Sequence, residues 1–302
     1  MSPLATAKTC NQIDTSPERA RGSLRVNRFM EKVMQRSKPS RNFFAVRSPV
    51  GRVQGIISAI GIWAVFFGFW ILATSLGWVN DLLVPSPQKV LAATFDLFVN
   101  RGFSSDVLIS VWRVFISFAM ACAVAIPLGV AMGTFPSIAA IFAPFVSAWR
   151  YLPAPSFIPI LLMWFGTGEA PKLALLFIGV IFFLITLVMD HTKNVRKELV
   201  ETALTLGASR YVVVLKIVFP AALPDIVTAM RQMLAMAWTY LVIAEIVAST
   251  TGIGAMMMRA RRFLKTDEIL SGIIVIGVLG LLTDLLFRVL HRRMFPYLEV
   301  KH

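Results

Sequence analysis

The sequence predicts an all-α polytopic membrane protein built on six transmembrane helices. Three observations carry this. Hydrophobic residues make up 57% of the 302 residues and charged residues only 15%, against about 45–50% and 25% in a soluble domain. The mean hydropathy of +0.73 is a larger apolar surplus than a water-exposed surface can carry. The surplus is gathered into six runs, each near the ~20 residues that a helix needs to cross a hydrocarbon core about 30 Å thick. Lipid offers the backbone no hydrogen-bond partner, so each run has to satisfy its own backbone as a helix. The composition excludes a disordered chain, a disulfide scaffold and an ordinary soluble enzyme. Cys10 lies in a polar tail and Cys122 in an apolar run, so the two cysteines suggest neither a disulfide nor a metal site.

Residues 55–77 form the first run, without a charge. The link 78–106 is too polar to span. Its stripe Val90, Leu91, Thr94, Phe95, Phe98, Val99 suits a helix lying in the interface, with Pro85 and Pro87 placed at its start. The second span is 107–133, with Arg113 near its beginning. The third is 138–165, broken by Pro153, Pro155 and Pro159 and holding Arg150. Residues 173–189 form the fourth, 226–249 the fifth with Arg231 and Glu245, and 269–290 the sixth with Asp284 and Arg288 near its end.

The charge is uneven. Residues 1–54 hold eleven Lys and Arg against Asp14, Glu18 and Glu31, a net of +8 out of the chain's +14. The polar lead is too long for a secretory signal, and an organelle transit peptide competes with a cytoplasmic tail held near anionic lipid. A short amphipathic helix is expected beyond Phe29. Six spans put both termini on one side. With the termini inside, 20 Lys and Arg lie inside and seven outside, which places both ends in the cytoplasm of a cell inner (plasma) membrane. The expected domains are a basic tail over 1–54, a transmembrane domain over 55–295 with a cytoplasmic loop at 191–224, and a tail over 296–302.

The most informative segment is Glu198–Asp225, the longest polar stretch between spans. Leu199, Ala203 and Leu206 share a face of a short helix, and Gly207 breaks it as a C′ glycine would. Ser209 is placed to cap a second helix running to about Lys216, which Pro220 and Pro224 are expected to end. A helix–glycine–helix hairpin too small to fold alone suits docking into a partner's groove.

Here Glu201, Thr202, Ala203, Gly207, Ile217 and Pro220 resemble the EAA loop of ABC-importer permeases: Glu-Ala-Ala, three residues, Gly, nine residues, Ile, one residue, Leu-Pro. The spacing is intact, with Thr202 and Phe219 in place of Ala and Leu. The segments LVPSPQKV at 83–90, SVWRVFISF at 110–118, IPLGVAMG at 126–133, YLPAPSFIPILLMWFGTGEAPK at 151–172 and AWTYLVIAEIVASTTGIGAMM at 237–257 resemble the nitrate, sulfonate, taurine and bicarbonate branch, including the cyanobacterial type of nitrate and bicarbonate permease. Together they cover about residues 55–295. The resemblance implies a type I importer fold, a second permease copy (a homodimer), two ATPase subunits below, and a periplasmic or lipid-anchored binding protein above. It also implies that Glu201, Ala203, Gly207, Ile217 and Pro220 couple to the ATPase. The sequence has no G-x-x-x-x-G-K-[ST] loop, so no cofactor is expected in this chain, and ATP with Mg would be held by the partner ATPases.

Three prolines within seven residues free backbone groups at membrane depth, which is tolerated inside protein or against a water-filled cavity. Pro153, Pro155, Ser156 and Pro159 are therefore pathway candidates, a kinked structural helix being the competing reading. Arg150 either attracts an oxyanion or pairs with Glu245, the one carboxylate well inside a span, with the pairing slightly favoured. Arg113 and Arg231 are expected to snorkel to the outer and cytoplasmic faces. Gly252 and Gly254 permit a sharp turn after the fifth span. Arg259, Arg261, Arg262 and Lys265 would draw anions, or acidic residues of a binding protein, to an outer mouth. Met236, Trp238 and Met256–Met258 read as adaptable packing, and the three histidines are too scattered for a metal site.

No nucleophile–base set or carboxylate pair shares a plausible pocket, so no catalytic residue and no nucleic-acid role are expected. The expected function is a permease subunit for a small inorganic anion. Nitrate or nitrite comes first, then bicarbonate, then organic sulfonates. An ion-coupled secondary transporter or channel is the alternative of a different class.

Overall fold

The structure, a computed structural model, describes residues 52–298; the side chains of Arg52 and Leu298 are outside the description. The expected basic tail up to residue 51, with its amphipathic helix and Cys10, lies outside the described residues, as does the end of the C-terminal tail. Two units divide between Phe66 and Phe67. In the first, the described residues are the opening part of helix α1 (Arg52–Ser75), and Val53–Phe66 are all exposed. Residues 53–66 carry no charge, and a stretch apolar all round suits lipid or another chain around it.

In the second unit, α2 (Pro87–Asn100) starts with Pro87 in the first turn, where a missing N–H costs no hydrogen bond. The helices α3 (Phe103–Thr134), α6 (Ala170–Lys193) and α9 (Phe219–Ala248) form the centre, and α11 (Thr266–Met294) packs beside them. Among the described residues there is no strand, and five helices are long and apolar enough to cross a membrane. The third expected span is not one helix. It consists of α4 (Pro136–Arg150), a 3₁₀ turn at Ala154–Phe157 and α5 (Ile158–Phe165). Alone, α4 rises only ~22 Å, short of the hydrocarbon thickness. Pro153 and Pro155 stop the helical ladder, and Gly166 at φ 71° ends α5.

The centre depends on small residues. Ala121, Ala125, Gly129 and Gly133 follow one another every fourth position on α3 and face α6. A Cβ on Gly129 would lie 2.7 Å from Val188 Cβ, and one on Gly133 would collide with Thr192. Apolar attraction between helices is nearly cancelled in lipid, so association relies on backbones approaching closely enough for dense van der Waals contact. These two helices run parallel, with α4 as the short return between them. The core continues through Val180, Leu184 and Val188 of α6 into Ile226, Leu234 and Leu241 of α9.

The polar link is only partly as expected. Val90 of the expected stripe is buried, but its partner on the buried side is Leu97, while Leu91, Phe95 and Val99 stay exposed. The buried line belongs to α11, where Ser271 Oγ donates to the Val90 carbonyl at 3.0 Å. So α2 is held on one face and leaves an apolar edge uncovered.

Arg231 does not snorkel. It pairs with Asp284, which also accepts from Arg288 Nε at 2.8 Å, so this pairing ties α9 to α11. A charge within a span is held more cheaply by a neighbouring acid than by a stretched side chain when one is within reach.

Gly129→Val should therefore lower the thermal midpoint of the detergent-solubilised chain, by about 1–3 kcal/mol of overpacking or more. Gly277→Val on α11, where an added Cβ meets nothing, is the control and should leave the midpoint nearly in place.

Candidate transport and coupling sites

At one end of the second unit, α7 (Lys197–Thr205) and α8 (Arg210–Val213) make the hairpin. Gly207 sits at φ 81°. The N–H of Ala208 reaches the Ala203 carbonyl at 3.0 Å, and that of Gly207 reaches the Leu204 carbonyl at 3.0 Å. These are the two bonds of a Schellman C-cap, which needs a left-handed residue at this position. Ser209 Oγ accepts from Val212 N–H at 3.5 Å and caps the second arm. Ala203, Val213 and Val218 form a small core of their own, joined by Ile217.

The second arm does not stop at Pro220. Residues 214–218 form a π turn, closed by Phe219 N–H onto the Val214 carbonyl, and the chain passes directly into α9. Pro220 removes a backbone donor, and a widened turn just before it lets the ladder step past the gap. Arg210–Ala248 is one helix of 39 residues, ~58 Å long, and so extends well beyond a hydrocarbon core. Its free end, with α7, exposes Leu206 (82%) and Tyr211 (74%) together with Leu204 and Leu215. Glu201 is exposed too, and its carboxylate meets no cation among the described residues.

The proline-broken segment lies against α6 and α9. Pro153, Ser156 and Pro159 are exposed, Pro155 is half-buried, and the Ser156 N–H donates to the Pro153 carbonyl at 2.9 Å. Arg150 is not paired with Glu245. Its guanidinium sits 5.6 Å from the centre of the Tyr151 ring, a cation–π contact. Next to it, Trp149 stacks between Phe157 and Phe182.

Glu245 is held instead by Arg113, which does not snorkel outward and is fully buried. Arg113 Nη1 donates to Glu245 Oε1 at 2.7 Å and to the Thr251 carbonyl at 2.8 Å. Nε and Nη2 donate to Glu169 Oε2 and Oε1 at 2.6 and 2.7 Å, and Nη2 also reaches Thr251 Oγ1 at 2.9 Å. All five guanidinium N–H groups are used. Ser110 Oγ also donates to Glu245 Oε1 at 2.7 Å. Removing either member of a buried pair of this kind costs about 3–5 kcal/mol, because the other is left uncompensated.

The same side chains receive the start of α10 (Ile253–Arg262). Gly252 N–H donates to Asp106 Oδ1 at 2.7 Å, Ile253 N–H to Ser110 Oγ at 3.0 Å and Gly254 N–H to Glu245 Oε2 at 2.8 Å. Three of the donors that a helix start leaves open are thus satisfied from α3 and α9. Gly252 has φ 105°, and a Cβ there would run into Glu245 and Arg113, so both conformation and space demand glycine.

Of the expected outer cluster, Arg259 is engaged by Asp106 at 2.7 Å and Lys265 by Glu268 at 2.9 Å. Arg261 and Arg262 are exposed. A cavity of about 390 Å³ opens between Arg101, Arg259 and Lys265 over a floor of Phe103 and Met256.

Glu169, just before α6, has a side chain that is 55% exposed. The Arg113 hydrogen bond, against the opposing effect of burial and with help from Lys172, holds its carboxyl down to about 2 from 4.5. A depressed carboxyl contributes fully above its ordinary value and loses that contribution as pH falls through about 2. The carboxylate is therefore ionised throughout neutral conditions.

Sequence reasoning missed Asp106, Ser110, Arg113, Glu169 and Lys172 as one constellation. Asp106, Ser110 and Arg113 stand at i, i+4 and i+7, a polar stripe on an otherwise apolar helix, and that spacing was the available signal.

Comparison with known proteins gives the family. Residues 125–296 match the family described as binding-protein-dependent transport system inner membrane component. The taurine transport system permease protein of Escherichia coli K12 is 33% identical over 244 residues, 79% of this chain and 89% of that protein. The putative aliphatic sulfonates transport permease protein of Bacillus subtilis 168 is 29% identical, over 86% of this chain and 95% of that protein. The nitrate import permease protein of Synechocystis PCC 6803 is 27% identical, over 67% of this chain and 76% of that protein. An inward-facing structure of the MetNI methionine ABC transporter shares the fold, with a TM-score of 0.58 and 19% identity over 63% of this chain and 95% of that one. The chain belongs to the binding-protein-dependent transport system inner membrane components, the permeases of ABC importers.

Proposed function

We propose that this chain is the membrane permease of an ATP-driven importer for a small solute carrying an oxyanion group. An organic sulfonate comes first and nitrate second. The observation that carries the coupling half is the hairpin. Its interior is satisfied by its own cap and small core, its outer face presents Leu206 and Tyr211 to no partner among the described residues, and its second arm is continuous with a spanning helix. A helix that leaves the membrane and ends in an uncovered apolar tip suits a lever gripped by another subunit. In this reading two ATPases hold Glu201, Ala203, Gly207, Ile217 and Pro220 in the cytoplasm, where both termini also lie, with the basic tail near anionic lipid. A second copy of the permease completes the pathway, and a binding protein delivers solute at the other face.

ATP brings the ATPases together, the hairpins move, and each drags α9 with it. Through Glu245 and Arg113 the motion of α9 reaches α3, α6 and the start of α10 at the far end. An ion-coupled carrier finds less support. Glu245, near the end of α9, already accepts from Arg113, Ser110 and Gly254, and Asp284 of α11 is held by Arg231 and Arg288, so neither is free to bind and release a coupling ion. The order of substrates differs from the sequence-based expectation because the taurine and sulfonate relatives match over more of the chain than the nitrate relative. The bicarbonate expectation gains no support from these relatives.

Two measurements test this. Glu201→Lys, Leu206→Asp and Gly207→Pro should leave the chain inserted but lower ATPase copurification or substrate-stimulated ATP hydrolysis by about tenfold, equivalent to ~1.4 kcal/mol of coupling. Gly207→Pro acts because proline cannot adopt a positive φ. Normal coupling in all three variants would falsify the lever. In the reconstituted complex with its binding protein, uptake of labelled taurine or methanesulfonate should exceed that of nitrate. Saturable nitrate uptake that sulfonates do not inhibit reverses the order.

A further inference from the structure

We propose that Arg113 and Lys172 form a binding site for one monoanionic, three-oxygen group, which Glu169 occupies in this state and vacates when solute arrives. The inference rests on the reading of the cargo as an oxyanion.

The two carboxylates on Arg113 are unequal. Glu245 is fully buried and is also bound by Ser110 and Gly254, so it orients the guanidinium permanently. Glu169 takes the opposite edge, Nε and Nη2, and its only other partner among the described residues is Lys172 Nζ at 2.9 Å. Its side chain is more than half exposed. It follows Gly166, Thr167 and Gly168, all exposed, and an added Cβ on either glycine would meet nothing within 4 Å. Little but the two cations holds this arm in place.

Charge balance sets the valence of a replacement. Lys172 is only 4% exposed, and Glu169 is its one partner among the described residues. A buried cation requires a compensating charge nearby. Arg113, Lys172 and Glu245 together leave one positive charge, which Glu169 cancels. Any replacement has to carry a single negative charge.

The donors set the shape. Three N–H groups converge on Glu169, but a carboxylate has two oxygens, so Oε1 serves both Arg113 Nη2 and Lys172 Nζ. A sulfonate or nitrate offers an oxygen to each donor, and the forked Arg edge donates to two of them side by side. Bicarbonate carries one O–H, a donor pointed at donors, and fits less well. Beneath Lys172 the space narrows to about 10 Å³ between Leu161, Leu175 and Ala244, at most room for one ordered water. An anion bound here would rest above this narrow apolar space, with Arg113 linked through Glu245 to the helix that continues into the hairpin.

The test uses the full complex with its ATPases in nanodiscs, probed with methanesulfonate and nitrate against chloride, which matches charge but not shape. Glu169→Ala should be stabilised against heat by methanesulfonate and nitrate, with an apparent affinity about tenfold tighter or more than the wild type because the resident competitor is gone. Chloride should do less. Adding Lys172→Met to Glu169→Ala should abolish the gain. If Glu169→Ala assembles poorly, Glu169→Gln keeps the shape without the charge, and the same anions should restore its yield. An equal response of wild type and both Glu169 variants, or a gain that survives Lys172→Met, overturns the site. Oxyanion uptake by the wild-type complex together with a flat response in these variants removes the site and leaves the importer reading in place. Absence of oxyanion uptake removes that reading instead.

Discussion

A guanidinium at membrane depth has to be met by opposite charge and by acceptors for all five of its N–H groups, or it leaves for water. Arg113 is met in full, and the way it is met organises one end of the molecule. Its partners come from α9, from the turn at Thr251 and from the loop before α6. Ser110 and Asp106, one and two turns earlier on the same face of α3, receive the first N–H groups of α10. The loop before α6 and the stretch 245–254, both distant from α3 in sequence, are therefore fixed by one polar stripe. Low polarity around the cluster strengthens each bond and makes any unmet group costly, so the cluster is either complete or disrupted.

The opposite requirement governs the interior. Between helices in lipid, apolar side chains gain little by leaving one apolar medium for another, and contact density has to do the work. That explains why the helix with the buried arginine also presents Ala121, Ala125, Gly129 and Gly133 to α6. Close backbones there hold α3 and α6 as a pair. The polar stripe at one end and the small-residue stripe along the length serve one purpose, which is to make the centre rigid enough to transmit motion. By contrast, α1 over Val53–Phe66 and much of α11 leave their apolar side chains uncovered, as expected of surfaces that meet lipid or another subunit.

Rigidity at the centre matters because the hairpin is not a separate appendage. The π turn at 214–218 carries the helix past Pro220 without breaking it, so displacement at Tyr211 enters the spanning part of α9 directly. At the far end of α9 stands Glu245. The carboxylate that closes the Arg113 cluster and the tip that leaves the membrane are thus two ends of one rod, interrupted only by the wider turn.

Much of this was legible in the chain itself. The apolar runs dictated the spans because lipid leaves a backbone no alternative to the helix. The spacing Ala203–Gly207–Ser209 dictated the hairpin, because a left-handed cap and an oxygen-bearing N-cap are local devices that need no tertiary partner. Local rules failed where neighbours decide. Pro220 reads as a stop, yet a single π turn absorbs it. Arg150 and Arg113 are both arginines near Glu245's span, and no periodicity says which one meets it. Only packing did, by bringing the starts of α3 and α6 against the end of α9 and leaving Arg150 on Tyr151. Charge pairing across helices depends on rotation and depth to within a few ångströms, and the sequence encodes these through the packing of the whole bundle rather than through any short stretch of residues.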